Sequence, residues 1–165
     1  NTSVFKQDSG EKLYRRSMYT FWKRTSPPPS MTTFDAPDRE TCQVRRARTN
    51  TPLQALVLMN DVQFIEAARK FAERILRNGG ESDEQRLVYA FRSIVGRRPS
   101  TEELEKLLVF QAEYRQQFGQ DETAVTQFLS AGESPRDESL DASDLAAWSM
   151  LAHLLMNLSE TITKG

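Results

Sequence analysis

The chain has 165 residues, 38% hydrophobic and 27% charged, with a formal net charge of −1 and a mean hydropathy of −0.59. That is enough for one modest core, and with no run of about 18 apolar residues it excludes a membrane-spanning helix. A single cysteine, Cys42, and a single histidine, His153, exclude an internal disulfide framework, a cysteine-rich zinc site and an attached haem.

Charge is unevenly spread. Residues 1–50 carry +5 and residues 51–165 carry −6. The two parts therefore attract each other, or the basic third meets an anionic partner. Asn1 to Gly10 reads as a polar, frayed lead-in without signal-peptide character. Between Glu11 and Thr25, Tyr14, Met18, Phe21 and Trp22 fall at i, i+4, i+7 and i+8. This spacing predicts an amphipathic helix whose aromatic stripe must be covered. Pro27-Pro28-Pro29 predicts a stiff, polyproline-like connector rather than a docking motif. Met31 to Asn50 has no sustained period and reads as an ordered irregular segment, long for a compact domain.

Three helix starts share one grammar. Thr51-Pro52-Leu53-Gln54, Ser82-Asp83-Glu84-Gln85 and Ser100-Thr101-Glu102-Glu103 are capping boxes, each ahead of an apolar periodic run. They predict helices from Pro52 to about Met59, over 83–95 and over 101–118. Asp61 caps a further helix from Val62 to about Arg77, and Asn78-Gly79-Gly80 stops it. A short helix is expected over 122–129, then a polar loop over 131–139. The last helix runs from about Ala142 to Asn157, with Leu145, Trp148, Leu151, Ala152, Leu155 and Met156 on one side. No strand-period run competes. The expected fold is all-α, an irregular multi-helix bundle of about six helices with a long ordered N-terminal segment. We read residues 1–165 as a single helical domain, with a basic aromatic part over 11–50 and a bundle over 51–165.

The densest cluster of chemistry is Arg45, Arg46 and Arg48 running through Asn50 into the Thr51 cap. A helix start is partially positive and rich in N–H donors. One reading is an anion site built from Arg45, Arg46, Arg48, Asn50 and Thr51. The other, which the nearby supply of carboxylates favours, is that Asp35, Asp38 and Glu40 pair with these arginines and staple the irregular segment to the helix. The same carboxylates are weaker candidates for acid–base work on an acidic carbohydrate. His153 lies in an apolar run and reads as a helix residue satisfied by a neighbour. Cys42 reads as a buried, inert thiol. The basic aromatic segment has the look of a nucleic-acid stacking platform, but its helical spacing and the acidic overall balance argue against it. Neither a catalytic set, a cofactor nor a metal is assigned.

Four stretches carry a family resemblance: Tyr19-Thr20-Phe21-Trp22-Lys23-Arg24-Thr25, Pro28-Pro29-Ser30-Met31, Phe34-Asp35-Ala36-Pro37-Asp38-Arg39-Glu40 and Arg48-Thr49-Asn50-Thr51-Pro52-Leu53-Gln54-Ala55-Leu56. The chain resembles, over roughly residues 12–164, a planctomycete-specific domain of unknown function at the C-terminal end of large multi-domain proteins. The ending Leu155-Met156-Asn157-Leu158-Ser159-Glu160-Thr161-Ile162-Thr163 is similar to that family's terminus. The resemblance implies an exported or periplasmic parent that often bears a cytochrome-c-like domain and a second planctomycete-specific domain upstream. It transfers no catalytic residue. The family pattern tends to have proline where Val62 stands, and begins upstream of Asn1, so the chain is expected to be its C-terminal part. The expected role is a non-catalytic interaction or scaffold domain, packing on upstream domains through Tyr14, Met18, Phe21 and Trp22, with a homodimer through the same helix as a further expectation. The alternative is binding or processing of an anion or acidic carbohydrate at the arginine cluster.

Overall fold

A computed structural model describes residues 4–23, 25–38, 40–45 and 47–163. Among them are eight α-helices and no strand: α1 (Pro29–Thr33), α2 (Pro52–Asn60), α3 (Val62–Asn78), α4 (Asp83–Val95), α5 (Thr101–Gln120), α6 (Glu122–Leu129), α7 (Ala142–Met156) and α8 (Ser159–Ile162). The class is the expected one, and six of the helices, α2 to α7, have eight residues or more. The chain divides into two units, Asn1–Val57 and Leu58–Gly165. Residues 1–3, at the start of the expected lead-in, lie outside the described residues, as do Arg24, Arg39 and Arg46.

The first unit departs from expectation at its start. The helix predicted over 11–25 is absent. Two 3-10 turns, Gly10–Tyr14 and Ser17–Tyr19, stand in its place. Tyr14, Met18, Tyr19 and Phe21 are exposed. The spacing was helical, but neither turn has a side-chain cap. A run of this length is marginal as a helix unless something buries its apolar face. The proline connector also differs. Pro29 opens α1 because its fixed φ suits the first helical position, where the missing N–H is no loss. Thr32 and Thr33 hydroxyls donate back to Pro29 O at 2.8 and 2.9 Å. Beyond α1 the path to Asn50 is irregular, as expected. Cys42 is exposed rather than buried; it lies on this irregular stretch, outside the helices.

In the second unit every predicted cap is present. Asp61 accepts from Gln63 N at 2.8 Å and starts α3, although Val62 stands where a proline was expected. Ser82 with Gln85, and Ser100 with Glu103, form reciprocal capping boxes. Gly96, at φ +90°, closes α4 in the left-handed conformation that favours glycine. The short α8 was not anticipated.

The centre is α7. It was expected to bury one side, but Leu145, Ala146, Ala147, Trp148, Leu151, Ala152 and Leu155 are all fully buried. A helix with no polar face must be enclosed, and α3, α4, α5, α6 and α8 pack around it. Alanines 146, 147 and 152, with Ser149, keep its surface low enough for close approach. The surrounding helices contribute Phe71 and Ile75, Leu87 and Phe91, Leu107 and Phe118, and Val125 and Leu129. Buried His153 places Nε2 2.6 Å from the Leu58 carbonyl, the neighbour-satisfied role read from sequence.

The polar segment before α7 is held by a column of charges on α3. Buried Glu66 accepts from the N–H groups of Glu133 and, at 3.2 Å, Ser134. Buried Arg69 donates to Ser134 O at 2.6 Å. Lys70 donates to Pro135 O at 2.6 Å, and Glu73 accepts from Asp137 N at 3.1 Å. Arg77 pairs with Asp137. Four of these side chains thus engage the backbone of a segment that has no ladder of its own, and the fifth, Arg77, engages a side chain of it. Gly132, at φ +96°, lets this backbone cross Glu66: a Cβ there would overlap the carboxylate and lie 2.7 Å from Glu66 Cβ.

Two further arginines fasten helix ends. Arg115 reaches Asp83 at 2.7 and 3.1 Å and Asp144 at 2.9 Å, joining the first turns of α4 and α7. Arg97 lies over the Phe91 ring at 4.9 Å and forms two forks, to Glu103 at 2.7 and 2.8 Å and to Glu160 at 2.8 and 2.9 Å. These bonds hold the Glu103 carboxyl at about 2, with the Ser100 N–H adding to the effect of Arg97, and hold Glu160 below its usual range.

Two predictions follow from these contacts. Gly132→Ala should lose about 2–4 kcal/mol in a urea melt, from left-handed strain plus overlap with Glu66; a loss below about 1 kcal/mol would mean the segment can move away from α3. The second concerns acid. A depressed carboxyl contributes stability above its ordinary value of 4.5, and loses it as pH falls towards about 2. Thermal melts over that window should show a smaller decline in Tm for Arg97→Gln than for the unmodified protein, and parallel declines would deny the pair its role.

Candidate functional site at the start of α2

The residues singled out from sequence lie in the first unit. Gln54 is their hub. It sits one turn into α2 because Thr51 and Pro52 set the helix start, and its side chain is 1% exposed. Its Oε1 accepts from Thr51 N at 3.1 Å, while Thr51 Oγ1 accepts from Gln54 N at 3.3 Å. This is the expected capping box. The Nε2 group donates to Thr33 O and to Thr49 Oγ1, both at 2.9 Å, and reaches Asp35 at 3.5 Å. One amide therefore joins the end of α1, the irregular segment and the start of α2.

Asp35 supplies the second link. It is the one non-glycine residue with positive φ among the described residues, at 59°. Aspartate is among the few side chains that tolerate this conformation. Its carboxylate accepts from Thr49 N at 2.7 Å and from Thr49 Oγ1 at 2.9 Å. These bonds, led by the Thr49 N–H and aided by its hydroxyl and by Gln54, hold the carboxyl below the usual carboxylate range. The contribution is present above that range and fades as acid protonates the group.

Asp35 ties the irregular segment to the start of α2 through Thr49 and Gln54. Among the described residues Asp35 engages Thr49 and Gln54, and Asp38 accepts from Glu40 N at 3.0 Å. Arg45 and Arg48 are exposed, and Arg45 forms no ion pair among the described residues. Arg46 lies outside them. Asn50 is exposed and leads into Thr51. The α2 start is a poor cradle for an anion. Pro52 has no N–H, the Thr51 N–H is taken by Gln54, and the N–H groups of Gln54 and Ala55 turn back to Thr51. Tyr14 and Met18, in the two 3-10 turns, and Phe21, just beyond them, are exposed, whereas Trp22 is half-buried.

Sequence reasoning found the cap but missed Gln54 and Thr49 as the junction. The usable signal was that Asp35 and the stretch Arg48–Gln54 lie in two of the four motifs that carry the family resemblance. It also missed Arg97 and Arg115, whose carboxylate partners lie on other helices. No three His, Cys, Asp or Glu side chains gather to hold a metal ion among the described residues, and no helix there is long and apolar enough to cross a membrane.

An all-α chain whose best-organised polar cluster ties its own segments together is what the fold and this site define. The chain belongs to the PSD1 family, described as protein of unknown function (DUF1553), whose pattern matches residues 1–111. The match takes in the whole of the Gln54 junction and ends within α5. No curated protein and no solved structure matches the chain.

Gln54 is the position at which the junction can be tested. Gln54→Ala should destabilise the protein by about 2–3 kcal/mol, since it strands Thr33 O and the Thr51 N–H. Gln54→Glu keeps the shape but removes the donors and sets a second charge beside Asp35; it should cost as much or more in the same denaturant melts. A neutral Gln54→Glu would show that the Nε2 bonds do not hold the segment.

Proposed function

We propose that this chain is a non-catalytic interaction domain, the C-terminal part of a large exported planctomycete protein, which packs against upstream domains of that protein. The observation that carries this reading is the concentration of apolar side chains on a basic surface near the N-terminus. Tyr14, Met18, Tyr19 and Phe21 are 48–75% exposed within eight residues, and Lys12, Arg15, Arg16 and Lys23 are interleaved with them. Exposed apolar groups gathered on one stretch mark a surface that meets another. The basic residues make an acidic face the fitting partner. Arg97, Arg115 and the α3 column of the second unit, by contrast, close on carboxylates or on backbone. That is an arrangement for holding shape.

The proposed planctomycete source, C-terminal placement and export rest on the family resemblance of the quoted motifs. The test is amide hydrogen exchange measured on the parent protein and on this chain alone. Residues 11–23 should be protected at least about tenfold more in the parent. Equal exchange in the two would remove the docking role of the aromatic stretch.

A further inference from the structure

We infer a second interaction surface, on α2, whose occupant is the same helix of a second copy of this chain. It is independent of the aromatic stretch, and either can fail without the other. No charged residue occurs between Thr49 and Asn60. Within that span Gln54 and Leu58 are buried, while Leu53, Leu56 and Met59 are each 56% exposed. Leu56 has contacts of its own within the chain and still presents that surface. Steps of three residues keep the three side chains on one stripe of a helix. A soluble helix usually turns charges outward; this one turns out two leucines and a methionine.

The stripe suits itself. Leu53 and Met59 stand three residues to either side of Leu56, so the pattern reads the same in both directions. A two-fold axis through Leu56 sets Leu56 against the partner's Leu56, and Leu53 against the partner's Met59. Such an isologous contact is closed and self-complementary. The flanking charges fix the direction. Arg45, Arg46 and Arg48 precede the helix and Asp61 follows it. Antiparallel pairing brings Arg45 and Arg48 of each copy, both exposed, towards Asp61 and the partially negative helix end of the other. Parallel pairing would set arginines against arginines. The same reasoning disfavours a dimer through residues 11–25, where Arg15, Arg16 and Lys23 would face their own kind. With only three anchors a side, the interface falls at the small end of the range, and association should depend on concentration in the micromolar regime.

The experiment is sedimentation equilibrium on the full chain, with circular dichroism and a thermal melt on each variant to confirm the fold. The unmodified chain should self-associate to dimers by about 100 µM. Leu56→Glu and Leu56→Lys each place like charges on the two-fold axis and should each weaken association about 100-fold or more. Mixed in equal amounts, they should recover dimers to within about tenfold of the original affinity, because the opposed charges now attract. A second pair checks the register without touching position 56: Leu53→Glu mixed with Met59→Lys should form a mixed dimer, as only antiparallel pairing sets 53 against 59. A chain that stays monomeric throughout, a dimer indifferent to Leu56→Glu, or mixtures that fail to recover would each overturn the assignment. Binding of α2 to a different protein, with no self-association, would do so as well.

Discussion

The second unit depends on the enclosure of α7. From Leu145 to Leu155 α7 carries just two polar side chains, Ser149 and His153, and both are buried, so the other helices of the unit have to be arranged around it. Their amphipathic faces, their short connections and the chain of caps at Asp61, Ser82, Ser100, Asp121 and Asp141 follow from that demand. Burial supplies the driving force. The arginine forks and the charges on α3 settle which helix end meets which, because each charged group removed from water requires a specific counterpart.

Polar chemistry serves the two units in different ways. In the second, charges act across the chain: Arg69 and Glu73 grasp a segment more than 60 residues away, and Arg97 joins α5 to α8. In the first, neutral amide and hydroxyl groups do the joining among the described residues, and Asp35 accepts there from the Thr49 N–H and O–H. Neutral donors are easier to bury than charged ones. That suits a place where Gln54 must be sealed off and α1, the irregular segment and α2 must meet within a few residues.

Much of the fold was legible because it is written locally. Capping boxes, glycine stops and a 3.6-residue period all act within a turn or two, and they located α2 to α7 to within a residue or two of their ends. What depended on distant partners was not legible. Tyr14, Met18 and Phe21 have the period of a helix, but period alone does not form one in so short a run whose apolar side chains stay exposed. The all-round burial of α7 could not be read from its own sequence, since an apolar run does not say how many neighbours it will have. At the site, the Thr51–Gln54 box was plain, whereas the second use of Gln54, through its Nε2, depends on Thr33 and Thr49 arriving from elsewhere. Carboxylates near arginines suggested ion pairs, and the bond of Asp35 to the backbone N–H of Thr49, fourteen residues on, had no signature of its own.

The bond between His153 and the Leu58 carbonyl has a mechanical consequence. Leu58 is itself buried, and His153 lies on the most deeply enclosed helix of its unit. A pull on the main chain at Leu58 would therefore be borne by the interior of the second unit rather than by a yielding surface joint, as a bolt set in masonry bears its load.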